Sequence, residues 1–86
     1  MSYVVYILKC SDNTLYTGCT NDLKRRLIEH NSSSKGAHYT KTRRPVEVLY
    51  SEQCKTLKDA LRREYAIKKL KRKEKLGLVK NLHKGI

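Results

Sequence analysis

Tyr, Val and Ile types alternate over residues 3–9 and an extended pattern resumes over residues 15–19, with Asp12 and Asn13 supplying turn chemistry between them. The two runs predict a β-hairpin. Thr20, Asn21 and Asp22 then offer helix-start oxygens, and Leu23 and Leu27 recur at helical spacing as far as Asn31, which predicts a short helix. Residues 31–36 are Ser-rich with one Gly and too polar to pack, so they read as an exposed loop running into the basic segment 41–44. Pro45 ends that loop. Val46, Val48 and Tyr50 alternate with Glu47 and Leu49 as a third strand, apolar on both faces and therefore expected at the centre of a sheet. Thr56 followed three residues on by Asp59 resembles a capping box, and Leu57, Ala60, Leu61 and Tyr65 continue at helical spacing to about Leu70. Residues 71–75 lead into a shorter helical segment around residues 76–82, weakened by Gly77. The order strand, strand, helix, strand, helix, helix predicts an α+β fold: a small three-stranded, antiparallel-containing sheet flanked by helices.

Eighty-six residues fit one domain, residues 1–86, with a basic helical tail from about residue 71. Twenty Lys and Arg against eight Asp and Glu leave a formal charge of +12, which calls for an anionic partner, since solubility needs far less. Nucleic acid fits better than a bilayer, because the cations are spread over several segments and no long stretch sets aromatics against a uniformly cationic face. No apolar run is long enough to span a membrane, and the start of the chain lacks a secretory pattern, so a cytoplasmic setting is expected. Cys10, Cys19 and Cys54 lack metal-site spacing and read as buried free thiols.

Several polar residues recur beside apolar helix positions. On a helical wheel Glu64 falls among Leu57, Ala60 and Leu61, in the stripe expected to face the sheet, where an ionised carboxylate must be paired, neutralised or metal-bound. The wheel alone favours an ion pair with Lys68, one turn on, over a metal. Arg26 and His30 lie in the same way beside Leu23 and Leu27. Tyr6 and Tyr16, each on its own, suit strand tyrosines with ring buried and hydroxyl at the rim. They share a sheet face only if the hairpin loop is odd in length, which the residue pattern leaves open. His38 and Tyr39 sit among cations, placed equally for loop packing or for stacking on a base. His83 reads as merely exposed. Arg25, Lys41, Arg43, Arg44, Lys69, Lys71, Arg72 and Lys73 form no base-reading motif and look like phosphate contacts, giving salt-sensitive affinity with little sequence discrimination.

The triplets VVY (residues 4–6) and YTG (residues 16–18), the segment DLKRRLIEHN, the stretch KGAHYTKTRRPVEVLY and the helix ALRREYAIKKL together resemble the GIY-YIG nuclease core, in particular its small stand-alone bacterial members. The first triplet departs from GIY and the second from YIG, yet both keep the tyrosine and the second keeps Gly18. The resemblance implies Tyr6, Tyr16, Arg26 and His30 as catalytic residues and Glu64 as the ligand of one divalent cation, Mg²⁺ or Mn²⁺, a hard ion suited to a single carboxylate with water and phosphate oxygens. It implies hydrolysis of a DNA phosphodiester, in preference to RNA, with a tyrosine helping to deprotonate water. A tyrosine of pKa ~10 needs nearby positive charge for that role, which Arg26, Lys9 and the cation would supply. Asn81 is a candidate for the asparagine that often follows the family's glutamate helix, but no surrounding motif anchors it and it stays outside the site. The expected function is a structure-directed endonuclease. The alternatives are a non-catalytic nucleic-acid-binding module for DNA or RNA, and an accessory subunit of a DNA repair or recombination complex in which a larger protein supplies specificity.

Overall fold

Three strands form one antiparallel sheet in the order β2-β1-β3, built from β1 (Tyr3–Lys9), β2 (Leu15–Thr20) and β3 (Glu47–Cys54). The structure, a computed structural model, describes residues 2–84. Between β1 and β2 the chain turns over residues 10–14: Cys10 N–H donates to Thr14 O at 2.9 Å, and Asp12 Oδ1 accepts from the Thr14 amide at 3.1 Å. Asn13 takes a left-handed φ of 67°, a conformation that its short polar side chain tolerates.

The central strand is β1, and β3 lies at an edge, contrary to the expectation from its apolar pattern. The physical reason is the interior of β1: Val5, Tyr6, Ile7 and Leu8 are all buried on two faces, whereas β3 ends in the polar run Ser51, Glu52, Gln53 and leaves Val48 exposed. A bulge between Ile7 and Leu8 shifts the β1–β3 register, so that Ile7 opposes Tyr50 while Leu8 opposes Val48.

Helices cover both faces. Helix α1 (Leu23–Ser32) is capped by the Asp22 side chain, which accepts from Arg25 N at 3.1 Å, as the sequence suggests. Its Leu23 and Leu27 pack over Tyr6, Leu8, Cys10, Val46 and Tyr16. Helix α3 (Leu57–Lys68), capped by Thr56, lies across the other face, where Ala60 and Ile67 close over Val5 and Ile7. Fully burying one such aliphatic side chain stabilises the fold by ~1.5–3 kcal/mol, so the two small clusters are the main apolar contribution. Helix α4 (Arg72–Lys84) is longer than its sequence pattern predicts, runs through Gly77, and adds Leu78 to the second cluster.

The segment after α1 is not simply an exposed loop. It contains a short helix, α2 (His38–Lys41), and Gly36 is buried. Arg44 ties this segment down, donating to the carbonyls of His30 at 2.6 Å, Ser33 at 2.6 Å and Glu29 at 3.3 Å at the end of α1. Asn31 adds a two-point clasp: its amide donates to Val46 O and its oxygen accepts from Val46 N.

Candidate active site

Register settles which face carries the phenols. Tyr6 opposes Gly18 and Leu8 opposes Tyr16, so Tyr6 and Tyr16 point to the α1 side, the outcome of an odd, five-residue loop over residues 10–14. Lys9 opposes Leu15 and belongs to the other face. Gly18 is the residue that lets the phenols approach: a Cβ there would sit 2.6 Å from Tyr6 Oη and 3.2 Å from the Tyr16 ring.

The phenols meet His30, which α1 carries into the interior, fully buried. Tyr6 Oη lies 2.8 Å from His30 Nε2, and His30 Nδ1 lies 3.0 Å from Thr40 Oγ1. The Thr40 hydroxyl donates its one hydrogen to Ala37 O at 2.9 Å. Thr40 therefore accepts from Nδ1–H, which leaves Nε2 unprotonated and makes Tyr6 the donor to it. The Ala37 amide also approaches Nδ1, at 3.5 Å, too long to compete for that tautomer. Burial and the nearby Arg26 charge push the imidazole down to about 4, so His30 is neutral at pH 7. Burial pushes the Tyr6 hydroxyl up to about 12, partly opposed by the adjacent Arg26 guanidinium. The expectation of a lowered tyrosine pKa is thus reversed at Tyr6, because desolvation outweighs the cation.

Arg26 is aimed at this group by two acceptors, Glu29 Oε1 at 3.0 Å and the carbonyl of Lys35 at 2.8 Å. Tyr16 completes the face, edge-on to His30 with ring centroids 5.3 Å apart. Tyr39 of α2 stacks on Tyr16 at 5.8 Å, and Arg43 covers Tyr39 at 3.9 Å, so this aromatic buttresses a motif tyrosine. Thr40 had no sequence signal of its own; only the fold brings α2 against the imidazole.

Glu64 stands on the α3 side of the sheet, beside Cys19 of the edge strand β2. The wheel expectation is corrected here: Ala60 and Ile67 take the sheet-facing positions, while Leu57, Leu61 and Tyr65 face outward and Glu64 stands at the border. The reason is that α3 crosses the sheet on the short side chain of Ala60, which allows close approach where Leu61 would hold the helix away. The Glu64 carboxylate is 18% exposed and pairs with Lys68 Nζ at 2.6 Å. It neighbours Cys19 on β2, whose thiol is pushed up to about 11 by burial and by this carboxylate. Lys68 is held above the usual ammonium range chiefly by Glu64. The carboxylate is thus balanced by an ammonium, the ion pair that the wheel favours. Among the described residues no group of three or more His, Cys, Asp or Glu side chains could hold a metal. A cation on Glu64 alone would take its other ligands from water and phosphate oxygens, the pattern of a hard ion such as Mg²⁺ or Mn²⁺ and not of zinc.

The basic residues divide. Lys41, Lys71 and Lys73 are exposed. Arg25 donates to Asn21 Oδ1, Lys69 lies over the Tyr65 ring, and Arg72 donates to the carbonyl of Asn13. Arg43 Nε stands 3.1 Å from Asp12 Oδ2, an ion pair without an aligned hydrogen bond. Arg44 is occupied with carbonyls of α1 and the segment after it, a structural task that the basic run in the sequence does not distinguish from phosphate binding. His38 is exposed at the start of α2, and the side chains of Asn81 and His83 lie outside the described residues. No described helix is long and apolar enough to cross a membrane.

Residues 2–77 match the family model of the GIY-YIG catalytic domain. A UPF0213 protein of Desulfotalea psychrophila is 52% identical over 84 residues, 98% of this chain and 76% of that one, and a UPF0213 protein of Syntrophus aciditrophicus is 55% identical over 76 residues, 88% and 87%. Among solved structures, the NMR structure of the protein EF2693 from E. faecalis superposes with a TM-score of 0.67 at 41% identity, covering 96% of this chain and 88% of that one. The NMR structure of the UPF0213 protein BH0048 from Bacillus halodurans gives 0.59, also at 41% identity, covering 93% and 84%. The chain belongs to the GIY-YIG catalytic domain family, a nuclease-type domain, alongside the small UPF0213 proteins.

Proposed function

We propose that this protein is a metal-dependent endonuclease that cuts DNA phosphodiester bonds, directed by nucleic-acid structure more than by sequence. The observation that carries the reading is the hydrogen-bonded chain Thr40, His30, Tyr6, with Arg26 beside its end. Tyr6 takes a proton from the attacking water as it passes its own to His30 Nε2, so no free tyrosinate has to form in a buried place. Thr40 keeps Nε2 free to receive it. Arg26 pairs with the phosphate, and in doing so cancels part of the positive field that holds His30 down. Glu64 would hold the divalent cation, after parting from Lys68; when bound, that ion supplies charge stabilisation to the leaving oxygen. The high positive charge, spread over α2, α3 and α4, supports backbone contacts and broad substrate tolerance.

The test is incubation with labelled linear, nicked, flapped and branched DNA, with and without Mg²⁺ or Mn²⁺, beside Glu64→Ala and Arg26→Ala. Metal-dependent cutting by the wild type, with retained binding and lost cutting in Glu64→Ala, supports the enzyme. Equal binding by all versions with no cutting of any substrate, RNA included, replaces it with the binding-module reading.

A further inference from the structure

Helix α3 turns an apolar stripe to solvent. Leu57, Leu61 and Tyr65 recur every fourth residue and are 47%, 50% and 63% exposed, while Ala60 and Ile67 take the sheet side. At ~100° per residue the three positions share one narrow arc. Along one flank of it stand Lys58, Arg62 and Lys69, all exposed; along the other stands Glu64, whose surface neighbours are Leu61 three residues before and Lys68 four after. Lys69 Nζ lies 4.3 Å from the centre of the Tyr65 ring. The stripe thus passes the Glu64 carboxylate at Leu61 and ends on an exposed, cation-capped aromatic.

We propose that this stripe is a stacking platform for unpaired bases, with Tyr65 as its principal ring, and that it carries the single-stranded arm of a flapped or branched substrate past Glu64. The proposal rests on the nuclease reading for the position of the scissile phosphate; the platform itself binds whether or not cutting occurs. Its occupant must offer flat apolar surface and negative charge together. Unpaired nucleotides do so, and duplex DNA hides its base faces within its own stack. A second copy of the chain would bring Lys58, Arg62, Lys68 and Lys69 against their own counterparts at a net charge of +12 each. An acidic amphipathic helix meets the charge requirement but needs a groove to lie in, whereas the stripe is the outer ridge of one helix.

The experiment measures anisotropy of single-stranded and duplex oligonucleotides of equal length, in EDTA at fixed salt, for wild type, Tyr65→Phe, Tyr65→Ala and Leu61→Ser/Tyr65→Ala. A 2-aminopurine in the strand reports stacking, and thermal melting verifies that each variant folds. Tyr65→Ala is expected to weaken single-strand binding about tenfold and to abolish the fluorescence change, Tyr65→Phe to keep both, and duplex affinity to move less than twofold. Unchanged single-strand affinity and fluorescence in Tyr65→Ala and in the double variant would overturn the platform. So would a dimer that dissociates on Tyr65→Ala, or an acidic amphipathic peptide whose binding depends on Tyr65 while single-strand binding does not. Because no metal is present, these results are separate from cleavage: a wild type that cuts nothing would sink the nuclease reading and leave this measurement intact.

Discussion

Tyr6 and His30, 24 residues apart in sequence, meet at 2.8 Å inside the protein, and the tautomer set by Thr40 makes the phenol the donor. Removing that donor isolates a buried ring nitrogen. Tyr6→Phe is therefore expected to cost ~1–3 kcal/mol of stability from the unpaired acceptor. In the same variant cleavage should fall by about a hundredfold or more, the usual scale of a lost acid–base group. Denaturant titration and single-turnover rates check the two effects separately.

Thr40 is a positioning residue. Thr40→Val keeps the shape but removes the acceptor for Nδ1–H, so the proton is free to move to Nε2 and block acceptance from Tyr6. We expect kcat to fall with little change in KM, ¹⁵N shifts of His30 to report the other tautomer, and Thr40→Ser to restore both. A Thr40→Val protein with an unaltered tautomer would refute this role.

Gly18 is required by space. The Cβ of Gly18→Ala would stand 2.6 Å from Tyr6 Oη, so the phenol must leave His30 or the strand must shift. Overpacking of this kind costs ~1–3 kcal/mol, and the Tyr6–His30 bond is lost with it. A lowered Tm and loss of cutting are expected together. By contrast, Gly77→Ala meets no atom within 4 Å among the described residues and should raise Tm, since alanine is favoured over glycine in a helix by ~1 kcal/mol.

The imidazole also sets a pH dependence. In the unfolded chain His30 titrates at its ordinary value of 6.5, and in the folded protein at about 4. Between these values the unfolded state binds more protons, so stability rises with pH across the window and is lost as pH falls from 6.5 towards 4. The loss amounts to roughly 3 kcal/mol at most. Denaturant midpoints measured from pH 4 to pH 7 should show it, and should flatten in His30→Gln.

Much of this was readable before folding, and the failures share a cause. Asp22 and Thr56 cap their helices because capping is local chemistry. Arg26 and His30 share one side of α1 because helical spacing carries that information, whereas Tyr6 and Tyr16 share a sheet face through the five-residue turn, which the residue pattern leaves open. What spacing does not carry is which face a helix turns inward. Leu57, Leu61 and Tyr65 had the period of a core stripe and face water, and β3 had the apolar look of a central strand and lies at an edge. Thr40 and Arg44 matter only through partners 10 to 15 residues away, reached after α2 folds back on α1.

The most direct test of the account is the single-turnover rate of DNA cutting in Mg²⁺ for wild type, Tyr6→Phe and Glu64→Ala, on the best-cut substrate, with binding measured alongside. The account predicts that both variants bind within about twofold of wild type and lose a hundredfold or more in rate. A Glu64→Ala protein that cuts at the wild-type rate, or a wild type with no metal-dependent cutting, would contradict it.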